Sequence, residues 1–257
     1  MTSLDVRDFY DSLADDYHLM FRDWWASAQD EAATVDALLR SLGVEPPAAI
    51  LDCTCGIGTQ AVPLCTHGYQ VVGSDLSERA VARAAAEARA HGIRLPLLVA
   101  DVREVADAVD RRFDAVISFD NALPHLVTDD GLLRALRSIR RTLTPGGVFL
   151  ASTRDYDALL ADRVRGVTPV LLERDGVRVI AGQAWEWADD RRTMKIHLFL
   201  MREEQSGWTT DMRSTVYRAL LREEFTRALA DSGFGEVRWY SEADSGYYQP
   251  VVAARAV

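Results

Sequence analysis

The most informative segment for the fold is a glycine-containing loop, Ile50-Leu51-Asp52-Cys53-Thr54-Cys55-Gly56-Ile57-Gly58-Thr59-Gln60-Ala61. Its short apolar start predicts a strand that ends near Asp52. Glycine has no side chain, so the backbone at Gly56 and Gly58 can turn sharply and approach a ligand closely. The spacing G-x-G-x-x-A also fits the loose dinucleotide fingerprint. The loop alone therefore predicts a nucleotide-like ligand without choosing between NAD and another cofactor.

Outward from this loop, strand-like and helix-like segments alternate from residue 48 to residue 152. Such alternation predicts parallel βαβ units, that is, an α/β doubly wound Rossmann-like sheet that binds ligands at the carboxyl ends of its strands. Ser77 is expected to cap one of the helices. The predicted strands are Ala48–Leu51, Gln70–Gly73, Leu95–Val99, Ala115–Phe119 and Val148–Ser152. The predicted helices are Ala61–Cys65, Ser77–His91 and Asp129–Leu143.

The flanking segments follow different patterns. Apolar spacings of three and four residues over 5–42 predict helices, so residues 1–47 are interpreted as a helical lid on a domain of residues 48–257. After residue 152, alternating residues predict a hairpin and hence a β-rich insertion near 165–215. A helix and two last strands would complete a seven-stranded sheet. The lid pattern uses Leu4, Phe9, Leu13 and Tyr17; the later segments are Val177–Trp187, Met194–Met201, Arg218–Ser232, Val237–Tyr240 and Pro250–Ala254, with a loop at Ser241–Tyr247.

The composition narrows the class of partner. The chain has 257 residues, 48% apolar and 26% charged, which is typical of a globular protein. Its net charge of −10 disfavours nucleic acid and favours a small-molecule partner. No apolar run is long enough for a membrane span, and the first residues do not resemble a leader, so a cytoplasmic location is expected. The three cysteines predict reduced thiols and no metal site; a homo-oligomer stays open.

Three aspartates follow successive predicted strands and favour one cofactor. Asp52 would repel a pyrophosphate but attract an ammonium group. Asp75 ends the second strand, where an acid can accept hydrogen bonds from ribose hydroxyls. Asp101 ends the third strand and offers an acceptor for an adenine amine. The set predicts S-adenosyl-L-methionine in preference to NAD; the alternative for Asp75 and Asp101 is that they only cap helices.

Several segments resemble the class I S-adenosylmethionine-dependent methyltransferases: Leu51–Gln60, Gly73–Ser77, Ala100–Arg103, Asp120–Leu126 and Leu143–Gly147. Within that class the chain is most similar to the glycine and sarcosine N-methyltransferases. The shared motifs are Asn-x-x-x-His-Leu at 121–126, an Arg-Asn-Tyr-Asp-like segment at 154–157 and Tyr-x-Pro at 248–250. Asp155 stands where that family has Asn, Leu-Pro precedes His125, and the pair Trp24-Trp25 has no counterpart.

The resemblance implies a role for each matching residue. The cofactor site would consist of Tyr10, Tyr17, Asp52, Cys53, Gly56, Gly58, Gln60, Asp75, Leu76, Asp101, Val102 and Asp120. The acceptor and catalytic groups would be Asn121, His125, Arg154, Tyr156, Tyr217 and Tyr248. Asn121 and Arg154 would bind a substrate carboxylate, for which a guanidinium has the matching two-donor geometry.

Each of these roles has a structural alternative. Arg154 could instead pair with Asp155 or Asp157. His125 could anchor its loop rather than position the nucleophile or take its proton. Tyr10 and Tyr17, seven residues apart and expected on one helix face, could close over the sulfonium or merely pack in the core.

The expected reaction is methylation of a nitrogen in an amino acid or related amine, with the lid and the insertion excluding water. Two other functions stay open at this point. One is O- or C-methylation of an aromatic natural-product intermediate, which the six tryptophans favour because planar substrates suit aromatic pockets. The other is a non-catalytic nucleotide- or partner-binding protein on the same fold.

Overall fold

The computed structural model describes residues 5–174 and 176–257, except for the side chain of residue 174. The strands are β1 Ala49–Asp52, β2 Gln70–Asp75, β3 Leu97–Val99, β4 Phe113–Ser118, β5 Leu143–Ser152, β6 Gly166–Arg174, β7 Val177–Trp187, β8 Thr193–Glu204, β9 Gly207–Arg218, β10 Phe234–Tyr240 and β11 Val251–Ala256. They form two sheets, a seven-stranded one in the order β10-β11-β5-β4-β1-β2-β3 and a four-stranded one in the order β6-β7-β8-β9.

The large sheet confirms the doubly wound prediction. Strands β1 to β5 pair in parallel, and β11 joins β5 in the antiparallel sense. Helices cover both faces, because one buried cluster contains Leu136 and Phe225 while the opposite cluster contains Val35 and Leu64. The helices are α1 Val6–Leu13, α2 Trp24–Ser41, α3 Ala61–Thr66, α4 Glu78–Ala90, α5 Val105–Ala108, α6 Asp129–Thr142, α7 Tyr156–Asp162, α8 Arg222–Asp231 and α9 Glu242–Ser245.

The β-rich insertion spans Gly166–Arg218, close to the predicted bounds, but it has more strands than the predicted hairpin. The expected hairpin corresponds to β7 and β8, but β6 and β9 extend it to four antiparallel strands. The helix predicted to start at Arg218 is wrong at that end: Arg218 pairs with Thr193 as the last residue of β9, and α8 begins at Arg222. The predicted loop at Ser241–Tyr247 contains the short helix α9, which has a capping box.

The N-terminal segment lies against the second sheet. Phe9 and Leu13 of α1 pack on Leu198 and Leu200, and Leu4 of the predicted pattern lies outside the described residues. Helix α1 ends at Leu13 and a separate 3-10 turn follows at Tyr17–Met20. The expectation that Tyr10 and Tyr17 share one helix face is therefore wrong. In the part of the chain that the structure describes, no helix is long and apolar enough to cross a membrane.

Candidate active site

Two adjoining cavities lie at the carboxyl ends of the parallel strands. The smaller has a volume of about 340 Å³ and is lined by the glycine loop and by the residues that follow β2, β3 and β4. The larger has a volume of about 1170 Å³ and lies between the N-terminal helices, the second sheet and the segment before β11. Tyr10, Tyr17 and Asp120 line both cavities. Ligands bound in the two cavities would therefore meet at these three side chains.

Asp75 is held in the wall of the smaller cavity by backbone groups. Its Oδ2 accepts a hydrogen bond from the Gly56 amide at 2.9 Å and its Oδ1 accepts one from the Ser77 amide at 2.9 Å. Ser77 itself caps α4 through its Oγ, as predicted, so Asp75 is not the capping residue. Burial raises the pKa of Asp75, while these amides lower it. Each carboxylate oxygen keeps a lone pair for a ligand, and Leu76 lines the cavity beside it.

Asp101 stands on the next strand end, with Val102 beside it in the wall. Its Oδ1 accepts a hydrogen bond from the Arg103 amide at 2.9 Å, and the Arg103 guanidinium forms an ion pair with the carboxylate. Burial alone would raise the pKa of Asp101, but the hydrogen bonds from Arg103 lower it. Glu104 occupies the N-cap position of α5 and makes no side-chain capping bond, so Asp101 is not the capping residue of that helix. Asp101 is an ionised acceptor in the cavity wall.

Buried residues lie on the side of the glycine loop that faces away from the smaller cavity. Asp52 is 1% exposed, and its Oδ2 has no hydrogen-bond partner among the described residues. Burial raises the pKa of this carboxyl well above its ordinary value. Gly58 has a φ of +95°, and a Cβ there would stand 2.6 Å from Val62 Cγ2. Gly58 therefore lets the loop pack on its helix, while Gly56, Cys53 and Gln60 face the cavity.

Asp120 stands at the junction of the cavities in a backbone conformation that few residues adopt. Asp120 and Asn121 have φ values of 57° and 64°, a region that Asp and Asn tolerate better than most other non-glycine residues. The Asp120 Oδ1 accepts hydrogen bonds from the hydroxyls of Tyr247 at 2.5 Å and Tyr248 at 2.8 Å, and Oδ2 accepts one from Gln60 at 3.1 Å. The tight turn after β4 thus places the Asp120 carboxylate at the junction of the two cavities.

His125 is uncharged in this site. Its Nε2 lies 2.9 Å from the Tyr10 hydroxyl, which is 3.3 Å from the Tyr217 hydroxyl. The His125 ring centroid is 4.0 Å from that of Tyr217. Burial lowers the pKa of His125 to about 3, with a smaller contribution from the charge of Arg154. The imidazole therefore orders a chain of hydroxyls at the junction and is unprotonated at neutral pH.

Arg154 lines the larger cavity and is not paired with its neighbouring acids. Its NH2 donates to Gln183 Oε1 at 2.9 Å, and its guanidinium carbon lies 4.7 Å from the Trp185 ring centroid and 5.6 Å from that of Tyr217. NH1 is buried and has no partner among the described residues. The alternative of an ion pair with Asp155 or Asp157 is wrong, because Asp155 binds Arg222 at 2.7 Å and Asp157 accepts the amide of Arg222.

Asn121 and Tyr156 lie behind the cavity walls, where each is 1% exposed. The Asn121 amide donates to the Tyr156 hydroxyl at 3.0 Å, and its Oδ1 accepts the backbone amide of Arg154 at 3.0 Å. Both side chains are thus placed to position Arg154. They do not line either cavity.

The site contains four further residues that the sequence did not predict: Glu31, Gln183, Arg222 and Tyr247. Gln183 and Arg222 line the larger cavity. Glu31 lies on α2, remote in sequence from every motif, and accepts a hydrogen bond from Gln60 at 2.8 Å. Tyr247 adjoins the Tyr-x-Pro motif, which is the one sequence signal that pointed near it.

The chain is similar to known methyltransferases. Residues 50–147 match the family model described as a methyltransferase domain. A glycine/sarcosine N-methyltransferase from Halorhodospira halochloris is 30% identical over 138 residues, which are 54% of this chain and 50% of that protein. The chain thus spans about half the length of this curated relative.

Two solved structures share the whole fold. The structure of Streptomyces venezuelae DesVI has a TM-score of 0.76 at 21% identity, and all of both chains is covered. CalS10, an amino pentose methyltransferase from Micromonospora echinaspora solved with its methyl donor bound, has a TM-score of 0.73 at 20% identity, again with full coverage. At these sequence identities, the similarity shows a shared fold only.

The chain is therefore similar to the S-adenosylmethionine-dependent methyltransferases: residues 50–147 match a methyltransferase domain, and the solved structures share its fold. The residues fit S-adenosylmethionine: the smaller cavity joins a glycine loop to acceptors at Asp75 and Asp101. Behind the loop lies Asp52, whose Oδ1 accepts the amide of Thr54 and whose Oδ2 has no hydrogen-bond partner among the described residues. When bound, S-adenosylmethionine supplies an electrophilic methyl group on a sulfonium. These findings favour a methyltransferase over the non-catalytic binding protein.

Proposed function

We propose that this methyltransferase transfers a methyl group to a nitrogen of a small-molecule amine that also carries an acidic group. The observation that carries the proposal is the pairing of the two cavities at Tyr10, Tyr17 and Asp120. A carboxylate at that junction attracts an ammonium group. The partial relative, named a glycine/sarcosine N-methyltransferase, also supports nitrogen as the acceptor atom.

In this proposal Arg154 recognises the acidic group of the acceptor. Its NH1 is buried, unpartnered among the described residues and part of a side chain that lines the larger cavity. A buried donor without a partner is unfavourable, and an anionic oxygen would satisfy it with a charge-assisted hydrogen bond. Gln183 and the two aromatic rings keep the guanidinium in place.

The size of the larger cavity argues for an acceptor larger than glycine. Its volume of about 1170 Å³ exceeds the roughly 300–1,000 Å³ of ordinary ligand pockets. A glycine-sized molecule would leave most of it filled with water, and excluding water is part of what a closed site does. An amine attached to a sugar-sized or larger acidic body fits better; CalS10, with the same fold, is named an amino pentose methyltransferase.

Methyl transfer then depends mainly on alignment. Tyr10 and Tyr17 line the junction of the two cavities, and π faces and phenol oxygens favour a sulfonium there. Orientation can supply about 7–11 kcal/mol of the barrier. The burial of the site favours the neutral form of the amine, which is the nucleophile.

The second candidate is O- or C-methylation of an aromatic intermediate. It is favoured by the indole of Trp185, which lines the larger cavity beside Tyr217. A panel of matched amine and alcohol acceptors, each with and without an acidic group, separates the two functions when S-adenosylhomocysteine release is measured. Release with acidic amines alone supports the proposal, and release with alcohols or uncharged arenes supports the alternative.

A further inference from the structure

Tyr247 joins two carboxylates that the proposed function does not use together. Its hydroxyl lies 2.5 Å from Asp120 Oδ1 and 3.3 Å from Glu31 Oε2. The amide of Gln60 spans the same pair, 3.1 Å from Asp120 Oδ2 and 2.8 Å from Glu31 Oε2. Tyr247 is 1% exposed, so its hydroxyl is shielded from solvent and held among these partners. All the hydrogen-bond partners of the two carboxylates named here are neutral.

The two carboxylates have different surroundings. Asp120 lines both cavities, at the place where an acceptor nitrogen would meet the methyl group. Glu31 lines neither cavity; it is partly exposed on α2, next to the exposed Asp30. The contacts therefore lead from the reaction space through a buried phenol to a carboxylate that solvent can reach.

We propose that Tyr247 passes a proton from Asp120 to Glu31, so that these three side chains carry the proton of the acceptor nitrogen out of the active site. A phenol hydroxyl can accept a hydrogen bond from one group while it donates to another, which is the property that such a relay needs. This inference rests on the proposed function, because only an acceptor that arrives as an ammonium ion has this proton to lose.

The step balances in atoms and charge. The ammonium N–H proton moves to the Asp120 carboxylate, which frees the nitrogen lone pair. The lone pair forms the new N–C bond while the C–S bond breaks and its electron pair stays on sulfur. The products are a methylammonium ion, neutral S-adenosylhomocysteine and one proton, which travels through Tyr247 to Glu31 and solvent. Two positive charges enter the step and two leave it.

The charges around Glu31 predict a pH dependence. It faces Asp30 on its own helix, Asp120 after β4, and the hydroxyls of Tyr17, Tyr247 and Tyr248. Burial and, next, the charge of Asp120 raise the pKa of Glu31 to about 8. Below that pH Glu31 already holds a proton and cannot accept another. We therefore expect kcat to rise between about pH 7 and 9.

The test compares Tyr247→Phe and Glu31→Gln with two matched controls. Tyr69→Phe also removes a buried phenol hydroxyl that donates to a carboxylate on α2, that of Asp36, at 2.8 Å. Asp36→Asn neutralises that carboxylate. Neither Tyr69 nor Asp36 lines a cavity. The measurements are kcat from pH 6 to 9.5 with an acidic amine, S-adenosylmethionine affinity by titration calorimetry, and the melting temperature.

We expect Tyr247→Phe and Glu31→Gln to lower kcat about a hundredfold at pH 8.5, the lower end of the usual effect of a positioned proton-transfer group, with cofactor affinity within twofold. The rise of kcat with pH should be lost in Glu31→Gln and kept in both controls. A folded Tyr247→Phe with unchanged kcat overturns the relay. So does a large loss of cofactor affinity with unchanged kcat, since the pair would then hold the cofactor. A wild type that methylates no amine overturns the proposed function, and the relay with it.

Discussion

At the level of single residues, ligand recognition depends on carboxylates and guanidinium groups whose positions are fixed by the surrounding backbone. Asp75 is one such residue, since two amides orient its oxygens toward the smaller cavity. Asp75→Ala should weaken S-adenosylmethionine binding about ten- to a hundredfold, because a hydrogen bond to a charged group contributes about 1.5–3 kcal/mol. Calorimetric titration measures this directly. Asp107→Ala, which removes an exposed carboxylate paired with Arg141, is the control; a Asp75→Ala affinity within twofold of wild type would remove the ribose assignment.

In the proposed function, Arg154 recognises the acidic group of the acceptor. Arg154→Lys keeps the positive charge but loses the planar pair of donors. The KM for an acidic amine should rise about ten- to a hundredfold, with cofactor affinity unchanged, because one charge-assisted hydrogen bond is lost. Arg134→Lys, at an exposed arginine paired with Glu104, should leave KM alone. If Arg154→Lys lowers only the melting temperature, Arg154 is structural.

At the scale of elements, the attachment of the N-terminal helices to the second sheet is the feature that closes the larger cavity. Asp16 pairs with both Arg202 and Arg213, and the Arg213 side chain is only 15% exposed. Asp15, by contrast, pairs with Arg79 where both side chains are more than half exposed. Without Asp16, Arg202 and Arg213 would keep only the more exposed Asp211, at 3.4 and 4.0 Å. Loss of a half-buried partner is costly, whereas an exposed pair contributes about 0–1 kcal/mol.

We therefore expect Asp16→Asn to loosen the segment before α2, and Asp15→Asn to leave it in place. Limited proteolysis followed by mass spectrometry should find cleavage within residues 5–22 several-fold faster in Asp16→Asn, together with lower turnover. Equal cleavage rates in the two variants would show that the apolar contacts of Phe9 and Leu13 hold this segment by themselves.

The secondary-structure elements also show which parts of the structure the sequence could predict. Strands β1, β2, β4 and β5 are buried runs of apolar residues, so local composition was enough to find them. Strand β6 contains Pro169 and an irregular register between Val167 and Val170, and β9 begins with six exposed residues, so neither shows a clear alternation. The motif residues around the smaller cavity were found because they lie on loops directly after strands. Glu31 and Gln183 were not, because only tertiary packing brings them to the site.

At the scale of the whole molecule, Glu31 couples stability to pH. The folded-state pKa of about 8 lies above the ordinary value of 4.5. The folded state therefore binds a proton that the unfolded state releases, and the stability from Glu31 is fully present below about pH 4.5 and lost as the pH rises to 8. Glu31→Gln removes this dependence. Its melting temperature should exceed that of wild type at pH 8.5 and approach it at pH 5; a constant difference across this range would contradict the raised pKa.

The central claim is that a methyl group passes from the smaller cavity to an acidic amine held in the larger one. The most direct measurement is a reaction with S-adenosylmethionine that carries a trideuterated methyl group, using the acceptor panel and locating the label by mass spectrometry and NMR. We expect label on nitrogen in acidic amines larger than an amino acid, with little on glycine or sarcosine. Label on oxygen or carbon, or equal labelling of acceptors with and without the acidic group, would contradict the central claim.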